Sequence, residues 1–425
     1  MDQPTSIWSN CLDYAILSDL GLRRANNQDA CAVVLAGNQT DFEECGHLFM
    51  VADGMGAHAA GELASKMATD VVPLVYRKRM GQSSPEAIVS AILDANQQIH
   101  HRGQATLDFR GMGTTATTLL MLPAGVIVAH VGDSRAYRLR GAHLEQLTFD
   151  HSLVWEMRAA GQAPESEIPG YISKNIITRS LGPGPTVRVD LEGPYTVQPG
   201  DVFLLCSDGL SGQVGDDEIG LVLSCLPPSE AVRALVDLAN LRGGPDNITV
   251  VVVRVLGPQI ARAVSPDHAV NLASANLRPI HPLLWLIIVA ACLAAAGLFA
   301  LGHVLISLLS LVCAAAAGIA ALWQRYGNTS RQFQSDGRRF GRGPYVDCNC
   351  AANADLLARL AEIGRQLRDA AVAENWSIDW NHFDGFFSRA AAARRSNNLV
   401  DAAREYLHAI TFMMSQLRKQ ETGHK

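Results

Sequence analysis

Five aspartates stand where apolar strands end or begin. In FMVADGMGAHAAGE (49–62) four apolar residues run into Asp53, and glycine follows at once. Taken alone, Asp-Gly is turn punctuation, because both residues tolerate tight backbone geometry. RRANNQDA (23–30) sets Arg23 and Arg24 shortly before Asp29, and AHVGDSRAYRLR (129–140) ends a strand on Gly-Asp-Ser at Asp133. LLCSDGLSG (204–212) repeats the pattern at Asp208, and GGPDNITVVVV (243–253) reverses it, with Asp246 just before a strand. No histidine or cysteine cluster accompanies them. Five such acids in one block suggest convergence on a single oxygen-lined pocket, suited to hard cations such as magnesium or manganese rather than zinc.

The elements that must position these acids are legible as short β-rich runs alternating with helical stretches over residues 1–257. Strands are expected at 31–36, 47–52, 115–122, 125–132, 201–207 and 247–255. Several are apolar throughout, as strands covered on both faces are. Helical spacing occupies Gly61–Arg79, Pro85–His101 and Ser229–Leu241. In the middle of the block strands follow one another directly. That favours an antiparallel, layered α+β domain over a doubly wound one.

Composition bounds the class. The chain has 425 residues, 48% hydrophobic and 18% charged, which is room for two or three domains with full cores. A net charge of −6 argues against wholesale nucleic-acid binding. Nine cysteines, scattered apart from Cys348 and Cys350, fit a reducing compartment rather than a disulfide framework. The N-terminus, MDQPTSIWSNCLDYAIL, lacks the basic region and apolar core of a signal peptide.

Residues 258–281 read as a polar, proline-punctuated linker. From Pro282 to Trp323 no residue is charged and His303 is the lone histidine. One bilayer crossing takes about 20 apolar residues, so two transmembrane helices are expected, 282–301 and 304–323, turning at Gly302-His303. Arg278 precedes the span, and Arg325, Arg331, Arg338, Arg339 and Arg342 follow it. Basic flanks on both sides place both ends in the cytoplasm, with Trp285 and Trp323 at the interfaces. His303 is read as a turn residue. After a Gly/Arg-rich connector (324–344), residues 345–425 carry three helical patterns, the last two spaced like a tetratricopeptide unit. A small cytoplasmic bundle that docks a protein partner is the expectation. Cys348 and Cys350 have no second ligand pair and are read as structural or incidental rather than metal-binding.

The first block resembles the metal-dependent serine/threonine phosphatases of the protein phosphatase 2C family, in their bacterial form. The resemblance rests on GLRRANNQDA, VADGMGAHAAGE, GMGTTATTLL, VGDSRAYRL, LTFDHS, NIITRSLG, LLCSDGLSG and GPDNITVVVV, in family order across residues 10–257. It implies two antiparallel sheets packed together with helices outside, an α-β-β-α sandwich, and metals at one end. Asp53 would then bridge two Mn2+ or Mg2+ ions, with the Gly54 carbonyl joining one of them. Asp208 and Asp246 would bind the other, Asp29 would hold metal-bound water, and Arg24 would grip the substrate phosphate. A metal-bridging hydroxide would attack phosphorus in line.

Departures from the family pattern are also expected to matter. Gln28 stands where many relatives have glutamate. Met55 replaces a histidine considered a general acid. Asp133 resembles a ligand of a third metal, but Gly212 stands where its partner acid would be. His58 and His151 are read as structural or as supporting the ligands from behind, rather than as metal ligands, and the region between His151 and Ser180 resembles a flap beside the site. The expected function is a multi-pass inner-membrane phosphatase acting on phosphoserine and phosphothreonine in cytoplasmic proteins, with a serine/threonine kinase as plausible partner. The competing expectation is a catalytically weak fold that recruits phosphoproteins.

Overall fold

The computed structural model describes residues 8, 10–57, 59–79, 83–161, 176–260 and 340–423, with five single positions between 290 and 308. One compact unit comprises Met1–Ala269 with Arg339–Lys425, and a second comprises Val270–Arg338. The expected membrane hairpin, most of the linker and connector, His58, His303 and the central flap (162–175) lie outside the described residues. Among the described residues no helix is long and apolar enough to cross a membrane.

In chain order the first unit runs β1 (Leu12–Asp19), β2 (Asp29–Val34), α1 (Gln39–Cys45), β3 (His47–Met55), α2 (Ala60–Lys78) and α3 (Ser84–Ala105). Next come β4 (Gly113–Thr114), β5 (Ala116–Leu122), β6 (Gly125–Val131), β7 (Arg135–Arg140), β8 (His143–Gln146), α4 (Leu153–Ala159) and β9 (Asp190–Tyr195). Then follow β10 (Val202–Cys206), α5 (Asp208–Ser211), α6 (Asp216–Cys225), α7 (Pro228–Leu241) and β11 (Ile248–Val255). The C-terminal stretch adds β12 (Val346–Asn349), α8 (Ala354–Ala373), α9 (Trp380–Arg395) and α10 (Leu399–Gly423).

The strands form two antiparallel sheets, one ordered β1-β11-β10-β7-β8-β12, the other β2-β3-β5-β6-β9 with β4 on β3. Their facing sides share a core of Phe49, Val51, Leu119, Val128, Phe203, Leu205, Val251 and Val253. α2 packs on β3 and α3 beside it, while α7 covers β1 and β11 on the opposite side. Helices on both outer faces explain the unbroken apolar runs: a strand between two cores has no solvent side to mark with polar residues. The weakly patterned strands β1, β7, β8 and β9 were not expected. β7 carries Arg135, Arg138 and Arg140, each satisfied by a carboxylate, so burial there is hidden behind charged letters.

The three C-terminal helices match their apolar spacing, but they bury it against the helices of the two-sheet sandwich. Leu357, Leu360, Phe383, Leu407, Ile410 and Met413 share one core with Leu221, Val232 and Leu235 of α6 and α7. The seam is pinned by Arg404 donating to the Cys225 carbonyl at 2.9 Å, by Arg359 pairing with Asp217 and by Arg418 pairing with the fully buried Asp237. The surface that these helices dock on is thus the chain's own. Cys350 is buried against Gly220 of α6 and Cys348 is half-buried; both thiols are free.

Candidate active site

Strand register brings the first acids together. β2 and β3 run antiparallel with Asp29 directly opposite Asp53. The Asp53 backbone is held on the other side too. Its N–H donates to Thr115 Oγ1 at 2.8 Å, and its carbonyl accepts from the Thr115 N–H at 2.8 Å and from Thr114 Oγ1 at 2.9 Å. Ser207 Oγ donates to Asp29 Oδ2 at 2.7 Å, which ties β2 to the end of β10 in the other sheet. Gly54 has no room for a side chain, since a Cβ would meet the Gln28 carbonyl oxygen at 2.5 Å and press into the Gly61 backbone. Gly56, at φ +145, turns the chain into α2. The Gln28 side-chain amide reaches the Gly56 carbonyl at 3.5 Å.

The other sheet supplies the remaining acids. Asp208 heads α5 right after β10, and Asp246 precedes β11. Arg24, half exposed, donates from its guanidinium to Asp246 Oδ2 at 2.7 Å. Asn247 fastens this corner: it accepts from the Gln28 N–H at 2.8 Å and donates to the Leu20 and Asn26 carbonyls at 2.9 and 3.1 Å. The Arg24 loop is thereby fixed beside Asp246. Asp133 is buried in the turn after β6. Below it, His151 accepts the Gly132 N–H at 2.9 Å through Nδ1 and contacts Asp190 at 3.0 Å through Nε2.

Four of the acids are raised, each in part by its acidic neighbours. Asp53 is held well above the carboxylate range, first by loss of solvation and then by Asp29, Asp208, Asp133 and Asp246. Burial and the neighbouring acids, opposed by the Ser207 hydrogen bond, push Asp29 up to about 7. Burial and Asp246 push Asp208 up to about 6, and burial and Asp208 raise Asp133. Asp29 Oδ1, Asp133 Oδ1 and Asp208 Oδ1 are buried and accept no hydrogen bond among the described residues. Such a cluster calls for positive charge. No three His, Cys, Asp or Glu side chains among the described residues stand as a ready-made ion site. This agrees with the donor set, because magnesium-like ions take one or two carboxylates and fill the rest of the shell with water and carbonyl oxygen. The residues fit hard divalent cations.

Arg24, Asp133, Asp208 and Asp246 open onto a cleft of ≈ 640 Å³, walled also by Trp155 and Arg158. Residue type alone did not reveal this wall. Arg135 pairs with the buried Asp150 at 2.7 Å and lies over the Trp155 ring at 5.6 Å. The only hint in the sequence was the LTFDHS motif that contains Asp150.

Fold and site together define a class: a two-sheet α+β sandwich with a crowded acidic centre where the strands of both sheets end. The family model for protein phosphatase 2C matches residues 23–237. The chain is 38% identical over 248 residues to the protein phosphatase PhpP of Streptococcus pneumoniae, covering 57% of this chain and 97% of PhpP. It is 36% identical over 266 residues to the serine/threonine protein phosphatase PstP of Mycobacterium tuberculosis, covering 60% of this chain and 49% of PstP. The crystal structure of the M. tuberculosis phosphatase PstP/Ppp superposes with a TM-score of 0.51 at 34% identity, over 58% of this chain and 100% of that one. The chain belongs to the protein phosphatase 2C family of serine/threonine phosphatases, in its bacterial form.

Proposed function

We propose that the protein removes phosphate from phosphoserine and phosphothreonine of other proteins, with two Mn2+ or Mg2+ ions held by Asp53, the Gly54 carbonyl, Asp208 and Asp246. The observation that carries this reading is the Asp53 carboxyl, set opposite Asp29 in the β2–β3 register and raised by loss of solvation and then by four neighbouring acids. Asp29 is the acid best placed to orient water there, because Ser207 fixes one of its oxygens and leaves Oδ1 without a partner. Asp133 adds a further carboxylate at the same cluster. Bound there, the cations would lower the pKa of water and neutralise charge on the phosphoryl oxygens. Arg24 sits at the mouth, ready to exchange its contact with Asp246 for a phosphoryl group. Met55 has no proton to give, so the leaving oxygen takes its proton from solvent in the cleft.

The same reading anchors the enzyme in the membrane through residues 282–323, with its catalytic and C-terminal parts in the cytoplasm. The support is the uncharged run of that length between Arg278 and the arginine-rich stretch that follows it.

A phosphothreonine peptide incubated with the protein and manganese should be hydrolysed, and chelation should stop it. Turnover that persists in Asp208→Asn, or without metal, would sink the assignment. Peptide binding without turnover would favour the recruitment role instead. For the anchor, a reporter fused after Lys425 should face the cytoplasm, and exposure on the far side would exclude the hairpin.

A further inference from the structure

The catalytic cleft has one wall residue that comes from far beyond the family's motifs. Val346, the first residue of β12, lines it together with Trp155, Asp208 and Asp246. β12 pairs with β8, Val346 lying opposite Gln146. Gln146 Nε2 in turn donates to Asp150 Oδ1 at 2.8 Å, the carboxylate that holds Arg135. One residue earlier, the Tyr345 ring meets Phe149 edge-on at 5.4 Å, and Phe149 meets Trp155 edge-on at 5.4 Å. An aromatic row therefore runs from the C-terminal segment to the cleft wall.

The near end of that row is fixed at three points. The Tyr345 hydroxyl donates to Glu192 Oε1 at 2.5 Å, and the Gly343 N–H donates to Glu192 Oε2 at 3.0 Å. The Tyr345 N–H donates to the Gln146 carbonyl at 2.8 Å. At the far end Arg135 and Arg158 lie over the Trp155 ring at 5.6 and 5.5 Å. Such rings and guanidinium planes are suited to a polypeptide with an anionic group. The family model ends at residue 237, and a match over 57% of this chain already spans 97% of PhpP. PhpP therefore has no length left for a counterpart of this segment.

We propose that Tyr345 and Val346 are specificity-determining residues: the C-terminal segment builds the part of the cleft on which the peptide around the phosphoresidue lies. Val346 offers an apolar edge, and Tyr345 acts through Phe149 by holding Trp155 in place. A small phosphoester needs only the acids and Arg24, whereas a peptide in the same cleft also reaches the wall that Trp155 and Val346 form. The inference rests on the phosphatase reading above.

The test uses the full chain in detergent with manganese, a phosphothreonine peptide and p-nitrophenyl phosphate. Tyr345→Ala should raise the peptide KM by about 5- to 10-fold, as loss of one aromatic anchor does, while turnover of p-nitrophenyl phosphate stays within about twofold. Tyr345→Phe, which keeps the ring, should retain the wild-type KM. Val346→Asp should raise the peptide KM as well, and it decides the matter if Tyr345→Ala loses its cooperative melting transition. An unchanged peptide KM in Val346→Asp and Tyr345→Ala overturns the proposal. Equal losses on both substrates also overturn it, because they mark a structural role. Wild-type protein that hydrolyses neither substrate defeats the phosphatase reading itself and takes this inference with it.

Discussion

Asp29 and Asp53 face each other across the β2–β3 ladder, two acids in one register pair at the end of a sheet. Like charges directly opposite destabilise a sheet. Here Asp208, Asp133 and Asp246 add to the repulsion on Asp53. The arrangement is favourable only with cations among the carboxylates, so it trades stability for function.

Removing one charge should therefore act in opposite directions on folding and on catalysis. In chelator, Asp53→Asn should melt a few degrees above the wild type, corresponding to about 1–2 kcal/mol of relieved repulsion and desolvation. With manganese its phosphatase rate should fall by at least about 100-fold. Thermal melting in EDTA and peptide hydrolysis measure the two effects. A variant that melts below the wild type in EDTA would show that the acids do not oppose one another.

Cation binding should stabilise the fold by mass action. At about 100 times the dissociation constant, manganese contributes about 2.7 kcal/mol, and the melting temperature should rise with concentration. The rise should shrink in Asp208→Asn and in Asp246→Asn. Calorimetry with increasing manganese checks this, and an equal rise in all three proteins would place the ions elsewhere.

How much of this was legible in the sequence depends on what burial does to the letters. Asp53 and Asp208 were visible at the ends of apolar runs and Asp246 just before one. Each alone reads as a turn, and only their number and the family resemblance pointed to a metal site. Gly54 was legible only as a turn glycine; that a Cβ there would strike the backbones of Gln28 and Gly61 shows only in the structure. β7 and β9 were not visible, because their buried positions include the charged Arg138, paired with Glu145 on the next strand, and Glu192, bonded by Tyr345 far along the chain. The docking of α8 and α10 was also hidden. Amphipathic spacing shows that a face is covered, but it does not say by what, and the cover is α6 and α7 of the same chain.

Acid should weaken the fold through His47, far from the acids. His47 is fully buried beside Trp8 and Phe42 and accepts the Ala36 N–H at 3.0 Å through Nδ1. Burial, partly offset by Asp41, pulls its pKa from 6.5 down to about 4. The unfolded chain thus binds more protons than the folded one between those values. Stability is full above about pH 6.5 and falls as pH drops towards 4, by on the order of 3 kcal/mol across the window. Denaturant melts at pH 7 and pH 5 should show a loss of about 2 kcal/mol that His47→Gln lacks. An equal loss in both proteins would assign the acid sensitivity to other groups.

The last prediction concerns the seam between α10 and α7. Asp237 is fully buried, and Arg418 is the cation paired with it. Arg418→Ala would strand a carboxylate in an apolar layer formed by Leu235, Leu238 and Met413, at a cost of about 3–5 kcal/mol. Replacing the pair by Asp237→Leu with Arg418→Met removes both charges and keeps the volume. That double variant should return to within about 1 kcal/mol of the wild type, because a buried ion pair gains little over well-packed apolar groups. Limited proteolysis should cut α10 sooner in Arg418→Ala and at the wild-type rate in the double variant. If the double variant is as weak as the single one, the ion pair itself, and not the stranded charge, holds the C-terminal helices to the catalytic sandwich.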